Sequence, residues 1–184
     1  MIRSMTEPIT GGTTPLKPLA ATAWGLLLVV LDLRIGDLDL VPDPVGWLVV
    51  LLAVGSLSSL NRAFSVAAAA SVLGLVASVP DWVAPGQTLV AMATAVAETV
   101  LVFATCTGIM SLAPDRRAGA NAIRWWDLAL SVALLPVLAL AAADPAFGVP
   151  AVLLGIAALV VLICFLVLLF RTAGQTGKTI RNSP

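Results

Sequence analysis

The sequence predicts an all-α fold: a polytopic membrane bundle of six transmembrane helices with both termini in the cytoplasm. The first observation is composition, because 60% of the 184 residues are hydrophobic, 11% are charged and the mean hydropathy is +1.05. A soluble globular protein is about 45–50% apolar and about 25% charged. One small core cannot bury this excess, so lipid is the expected solvent. The other two observations are the lengths of the apolar stretches and the placement of the basic residues.

Six apolar stretches approach the roughly 20 residues that a membrane-spanning helix needs. The expected spans cover residues 18–35, 44–60, 63–79, 88–112, 125–143 and 150–170, within one domain over 18–171. The polar residues 1–17 and 172–184 are expected to form cytoplasmic tails, the first of them flexible.

Local signals support the starts and ends of the first three helices. Pro18 suits a helix start, and Asp43 followed by Pro44 is typical of an N-cap and first helical position. The third helix is expected to stop at Pro80. One of its faces carries only small residues, which allow close helix packing in lipid. These residues are Ala67, Ser71, Gly74 and Ser78.

The fourth helix holds an acidic residue, Glu98, near its middle. Thr94 and Thr105 fall on the same stripe at helical spacing. A carboxylate at this depth costs a few kcal/mol, so it is expected to face the bundle interior. One reading is a proton-carrying or cation-binding acid of a transport pathway. The other is a hydrogen-bonded glutamic acid that joins helices, with Arg34 as the one basic candidate partner on the outer side.

The fifth and sixth helices carry fewer polar signals. Asp127 is expected to pair with Arg124 three residues earlier, and Pro136 should kink the fifth helix. The basic loop around Arg116 and Arg117 is read as an orientation signal in contact with anionic lipid, not as a nucleic-acid site. The sixth helix is uniformly apolar and should be the most exposed to lipid.

The basic residues segregate by loop. Successive loops of a six-helix bundle lie on alternate sides of the membrane. On this assignment, nine of the ten Lys and Arg residues fall on one side and Arg34 alone falls on the other. Basic loops stay in the cytoplasm. The acidic loops then face outward, and the arginine-rich, alanine- and valine-rich composition is typical of a high-GC bacterium. The expected location is the cell membrane, crossed several times.

The segment Asp32–Trp47 concentrates acidic residues between the first two helices. Asp37, Asp39 and Asp43 are candidate ligands for a divalent cation, since carboxylates suit calcium or magnesium. They lack the glycine and glutamate of an EF-hand loop. The competing interpretation is structural, with Asp43 capping a helix and Asp32 pairing with Arg34.

The pattern from Leu31 to Trp47 resembles a segment of small, uncharacterised multi-spanning membrane proteins of Gram-positive bacteria. The pattern reads hydrophobic-Asp, a glycine, then hydrophobic-Asp, Pro-Asp and Gly-aromatic. The match covers the end of the first span, the loop and the second span, which is about a quarter of the chain. No activity is established for that group, so the resemblance implies location and architecture only.

Several function classes lack the residues they need. The chain has no histidine and no tyrosine, and it has no phosphate-binding or dinucleotide fingerprint in a suitable context, so no cofactor is expected. The leading hypothesis is a non-enzymatic, transporter-like or accessory membrane protein with Glu98 in a polar interior, whose substrate the sequence does not name. The alternatives are a lipid-processing enzyme with a metal on the outer aspartates, and a subunit of a larger membrane complex docked through the small face of the third helix.

Overall fold

The computed structural model describes residues 16–31, 34–35, 38–39, 43–83 and 88–175. This part of the chain forms six α-helices: α1 (Pro18–Leu31), α2 (Asp43–Ser56), α3 (Arg62–Val83), α4 (Thr88–Leu112), α5 (Arg117–Ala143) and α6 (Gly148–Gln175). Short 3-10 turns at Pro114–Arg116 and Pro145–Phe147 precede α5 and α6. Two two-residue strands, β1 (Arg34–Ile35) and β2 (Leu38–Asp39), pair antiparallel between α1 and α2, with Arg34 opposite Asp39.

Four of the described helices are long and apolar enough to cross a membrane. The apolar stretches are Arg62–Pro80, Leu89–Leu112, Pro114–Leu138 and Gly148–Gly174. The helices α1 and α2 are apolar but have 14 residues each. At 1.5 Å per residue they reach about 21 Å, short of a hydrocarbon core about 30 Å thick. The all-helical class and four membrane-length helices are therefore established.

The six helices pack in a closed ring. Each helix contacts the next one along the chain, and α1 also packs against α6. Trp24 of α1 meets Phe170 of α6 edge to face, with ring centroids 5.6 Å apart. Short connections make consecutive helices antiparallel, so the ends of α2, α4 and α6 lie beside the starts of α1, α3 and α5.

Several helix boundaries differ from those expected: α2 ends at Ser56 and not at residue 60, and α6 continues to Gln175, beyond residue 170. Two further differences have a local cause. The helix α3 continues through Pro80 to Val83. A proline beyond the first turn removes one backbone hydrogen bond and can bend a helix without ending it when neighbouring helices pack against it, so α3 can continue past Pro80. The helix α5 begins at Arg117, well before the expected start near residue 125. The intervening residues are polar but rich in alanine, and a helix can extend beyond an apolar span when its residues favour helix.

Most of the core lies toward one end of the bundle. We call it the basic end, because Lys17, Arg62, Arg117, Arg124 and Arg171 lie there. Its largest fully buried side chains include Phe64 and Phe165, while Trp47, also fully buried, lies near the middle of the bundle. Toward the opposite end the packing loosens, since every α4 side chain from Leu89 to Val96 is at least partly exposed, as is every α6 side chain from Val149 to Cys164.

The small face of α3 packs inside the chain. Ala67 and Ser71 are fully buried, and Ser78 is almost so. A Cβ atom added at Gly74 would lie 2.5 Å from the indole ring of Trp47. Trp47 of α2 covers this face at Gly74, and the other three residues are also buried within the chain. The face is not exposed to a second subunit, so the docking surface expected from the sequence is wrong.

Candidate functional site

Glu98 lies where the packed part of the bundle meets the loosely packed part. Ala97 is buried and Val96 is exposed, while Glu98 itself is half-buried. The side chain of Phe64 on α3 packs at Gly108 of α4. Gly74 lies ten residues after Phe64, and Glu98 lies ten residues before Gly108. Because α3 and α4 are antiparallel, Glu98 is level with Gly74, near the middle of both helices.

Polar contacts join α4 to α5 along one line. The hydroxyl group of Thr99 donates to Oγ of Ser131 at 2.8 Å. Two turns closer to the basic end, Nη1 of Arg124 donates to Oγ1 of Thr107 at 3.3 Å. The guanidinium of Arg124 also lies 5.1 Å from the ring centre of Phe103. Such hydrogen bonds between helices replace water as partners for polar groups in an apolar bundle.

Asp127 does not form the expected ion pair with Arg124 in the described part of the chain. The Arg124 side chain instead reaches Thr107 and the aromatic rings of Phe103 and Trp125. The Oδ2 atom of Asp127 is buried and has no hydrogen-bond partner. The carboxyl group of Asp127 is near enough to that of Glu98 for the two to interact electrostatically. We call Glu98 and Asp127 the acidic pair.

The threonines expected beside Glu98 do not hydrogen-bond to it. The hydroxyl group of Thr94 donates to the carbonyl oxygen of Val90 at 3.1 Å, within its own helix. Thr105 is fully buried, and its hydroxyl group has no hydrogen-bond partner among the described residues. The interpretation of Glu98 as a hydrogen-bonded helix clamp therefore lacks its expected partners.

A further buried donor lies near the level of Glu98. The indole Nε1 of Trp47 has no partner in the described part of the chain, although Trp47 is fully buried. Its ring rests on Gly74, which is level with Glu98. Buried polar groups are normally paired with protein or water. The Nε1 atom of Trp47, Oγ1 of Thr105 and Oδ2 of Asp127 are therefore three buried polar atoms that have no hydrogen-bond partner among the described residues.

The outer aspartates fall mostly beyond the described residues. Asp32 and Asp37 lie outside them, and only the backbone is described for Arg34 and Asp39. Asp43 is the first residue of α2. Within the described residues, no group of three or more His, Cys, Asp or Glu side chains is placed to hold a metal ion.

The partnership of Glu98 with Asp127 was not anticipated from the sequence. Helical spacing favoured Arg124 as the partner of Asp127 and gave no sign that Thr107, on another helix, would take the guanidinium. A signal was nevertheless present, because Asp127 lies within an expected span, as only Glu98 and Asp32 do among the other acidic residues. Two such residues in one bundle tend to face a shared interior.

Comparisons with known proteins find no match to this chain. No protein-family model matches the chain, and neither a curated protein nor a solved structure matches it.

Proposed function

We propose that this protein is a small, transporter-like membrane protein in which the acidic pair binds and releases a proton or a small monovalent cation. The single observation that carries the proposal is the presence of two half-buried carboxyl groups, Glu98 on α4 and Asp127 on the adjacent helix α5, in an apolar bundle. In the described part of the chain, no basic side chain forms an ion pair with either group. A charged carboxylate in such surroundings is costly, so a proton or cation would lower its free energy.

The packing around Glu98 favours a role in ion passage over a purely structural role. The carboxyl group lies at the edge of the packed core, with partly exposed α4 residues on its other side. An ion arriving from the loosely packed end would reach Glu98 first. Toward the basic end, the next carboxyl group is that of Asp127, and the hydroxyl groups of Thr105 and Thr107 lie about two turns or slightly more beyond Glu98 on α4.

The proposal includes a location and a topology. All six helices are apolar and form one ring, and the basic residues of the described chain collect at one end, apart from Arg34. We infer a bacterial cell-membrane protein that spans the bilayer six times, with the basic end and both termini in the cytoplasm.

The test is ion flux in vesicles that contain the purified full-length chain. A potassium gradient with valinomycin sets the membrane potential, an enclosed pH-sensitive dye reports proton uptake, and an enclosed sodium-sensitive dye reports sodium uptake in parallel samples. We expect Glu98→Gln and Asp127→Asn to reduce flux to the level of protein-free vesicles. Asp115→Asn is the matched control, because Asp115 is exposed and lies outside the acidic pair.

Two results would contradict the proposal. One is a wild-type protein that raises neither proton nor cation flux above protein-free vesicles. The other is a Glu98→Gln variant that keeps the wild-type rate while its helix content and elution volume are unchanged. A loss of flux in Asp115→Asn equal to that in Glu98→Gln would show an unspecific charge effect.

A further inference from the structure

A polar groove opens at the basic end, where α4 finishes and α5 starts. Its volume is about 510 Å³, and it is lined by Met110, Pro114, Arg117, Ala118, Asn121 and Arg124. Two guanidinium groups and one carboxamide supply its polar side chains. The start of α5 also lies there, and the N-terminal end of a helix carries a partial positive charge that favours anions.

Arg124 is held in place before any ligand arrives. Its guanidinium donates to Thr107 and lies 5.1 Å from the ring centre of Phe103 and 5.5 Å from that of Trp125. Its Nε atom is buried and has no hydrogen-bond partner in the described part of the chain. A guanidinium fixed in this way loses little freedom when the part of it that lines the groove binds a phosphate group.

An aromatic groove continues from the polar one along α5. It has a volume of about 380 Å³, is lined by Ala122, Trp125, Trp126 and Ala129, and shares Asn121 with the polar groove. Trp125 and Trp126 are 52% and 63% exposed, so both indole groups face the surroundings of the bundle. Tryptophan in such a position is typical of the membrane interface, where its ring is amphipathic like the lipid itself.

We propose that these two grooves form a binding site for an anionic phospholipid at the basic end. The phosphate group lies between Arg117 and Arg124, and the glycerol and upper acyl carbons lie along Trp125 and Trp126. The basic groove alone would suit any phosphate. The adjoining aromatic groove favours a lipid over a free anion, because it offers apolar surface next to the charged group.

The experiment measures lipid retention by native mass spectrometry of the purified full-length chain in detergent. Phosphatidylglycerol and phosphatidylcholine are added at equal concentrations, and the fraction of protein carrying one lipid is recorded for each. A basic residue near a membrane surface contributes enough to change relative affinity about fivefold. We therefore expect Arg117→Gln and Arg124→Gln each to lower the phosphatidylglycerol preference by about that factor, and Trp126→Ala to lower retention of both lipids.

The matched control is Arg171→Gln, since Arg171 is an exposed basic residue at the same end but outside both grooves. It should keep the wild-type preference. Arg117 is also exposed, so its replacement tests the site even if Arg124→Gln fails to fold. Equal retention of the two lipids by the wild type would overturn the proposal, as would an equal effect of Arg171→Gln. Displacement of phosphatidylglycerol by inorganic phosphate at the lipid's concentration would show a soluble-anion site instead.

Discussion

Trp47 and Gly74 show how single residues set the packing near the candidate site. Trp47 is fully buried although it lies close to the start of α2. Its indole ring occupies the place that a side chain at position 74 would need. Any Cβ atom there would approach three ring carbon atoms within 2.5–2.6 Å. Position 74 must be glycine because the indole ring of Trp47 lies so close to the α3 backbone. Its replacement should therefore move α2 and α3 apart at the level of Glu98.

We expect Gly74→Ala to destabilise the protein. Overpacking a filled interior typically costs about 1–3 kcal/mol, and the rigid indole cannot turn aside as a flexible side chain would. Gly55→Ala is the control, because a Cβ at position 55 of α2 meets nothing within 4 Å. That change should be neutral or stabilising by about 0.5–1 kcal/mol. Thermal unfolding in detergent, followed by circular dichroism, compares the two; equal melting temperatures would contradict the packing described.

At the residue scale, the sequence identified Glu98 but not its surroundings. A carboxyl group in an apolar run is conspicuous because burying it costs free energy whatever the neighbours are. Its neighbours depend on helix register and rotation, and these are set by contacts such as that of Phe64 with Gly108. The expected ion pair between Asp127 and Arg124 was wrong for the same reason, because the guanidinium of Arg124 hydrogen-bonds to Thr107 on another helix.

At the scale of elements, α1 and α2 approach each other at two glycines. A Cβ atom at Gly25 would lie 2.8 Å from the carbonyl oxygen of Gly46, and one at Gly46 would lie 2.6 Å from Cγ2 of Val29. Backbones this close gain dispersion contacts that larger residues would prevent, which is a usual source of helix association in lipid. The short helices α1 and α2 therefore depend on this contact to hold their place in the ring.

Gly46→Val should separate α1 from α2. The added side chain meets the backbone of Gly25 as well as Val29, so the steric clash can be relieved only if the two helices move apart. We expect the free energy of unfolding to fall by about 1–3 kcal/mol. The change at position 155 of α6, Gly155→Val, serves as the control because nothing lies within 4 Å of a Cβ there. Limited proteolysis in detergent provides the measurement. Faster cleavage near α1 is expected for Gly46→Val alone, and equal rates in both variants would count against the contact.

Helix boundaries were predictable where the sequence holds a capping signal. Asp43–Pro44 marks the start of α2, and the structure begins that helix at Asp43. The start of α5 was placed too late because polar residues after Pro114 suggested a loop. Polar residues mark where the apolar stretch ends. The helix itself can continue beyond that point, as long as the residues there favour the helical conformation. The expectation that α3 stops at Pro80 was wrong because a proline can bend a packed helix without ending it.

At the scale of the whole molecule, the sequence predicted the class of fold because hydrophobicity and charge placement act on the chain as a whole. Apolar length requires helices in lipid, and the basic residues collect at one end of the ring. The closure of the ring by α1 and α6 was not predictable, since it depends on contacts between the two most distant helices, such as Trp24 with Phe170. Orientation remains a prediction, and it rests on the positive-inside rule.

Cysteine labelling in cells tests that orientation. In a background in which Cys106 and Cys164 are replaced by alanine, single cysteines are introduced as Asp115→Cys and Asp144→Cys. Both positions are exposed, and they lie at opposite ends of α5. With the basic end in the cytoplasm, a membrane-impermeant maleimide should modify Asp144→Cys in intact cells and Asp115→Cys only after permeabilisation. The reverse labelling pattern would show that the bundle has the opposite orientation in the membrane. Labelling of both positions in intact cells would show that α5 does not cross the membrane, because α5 alone separates them.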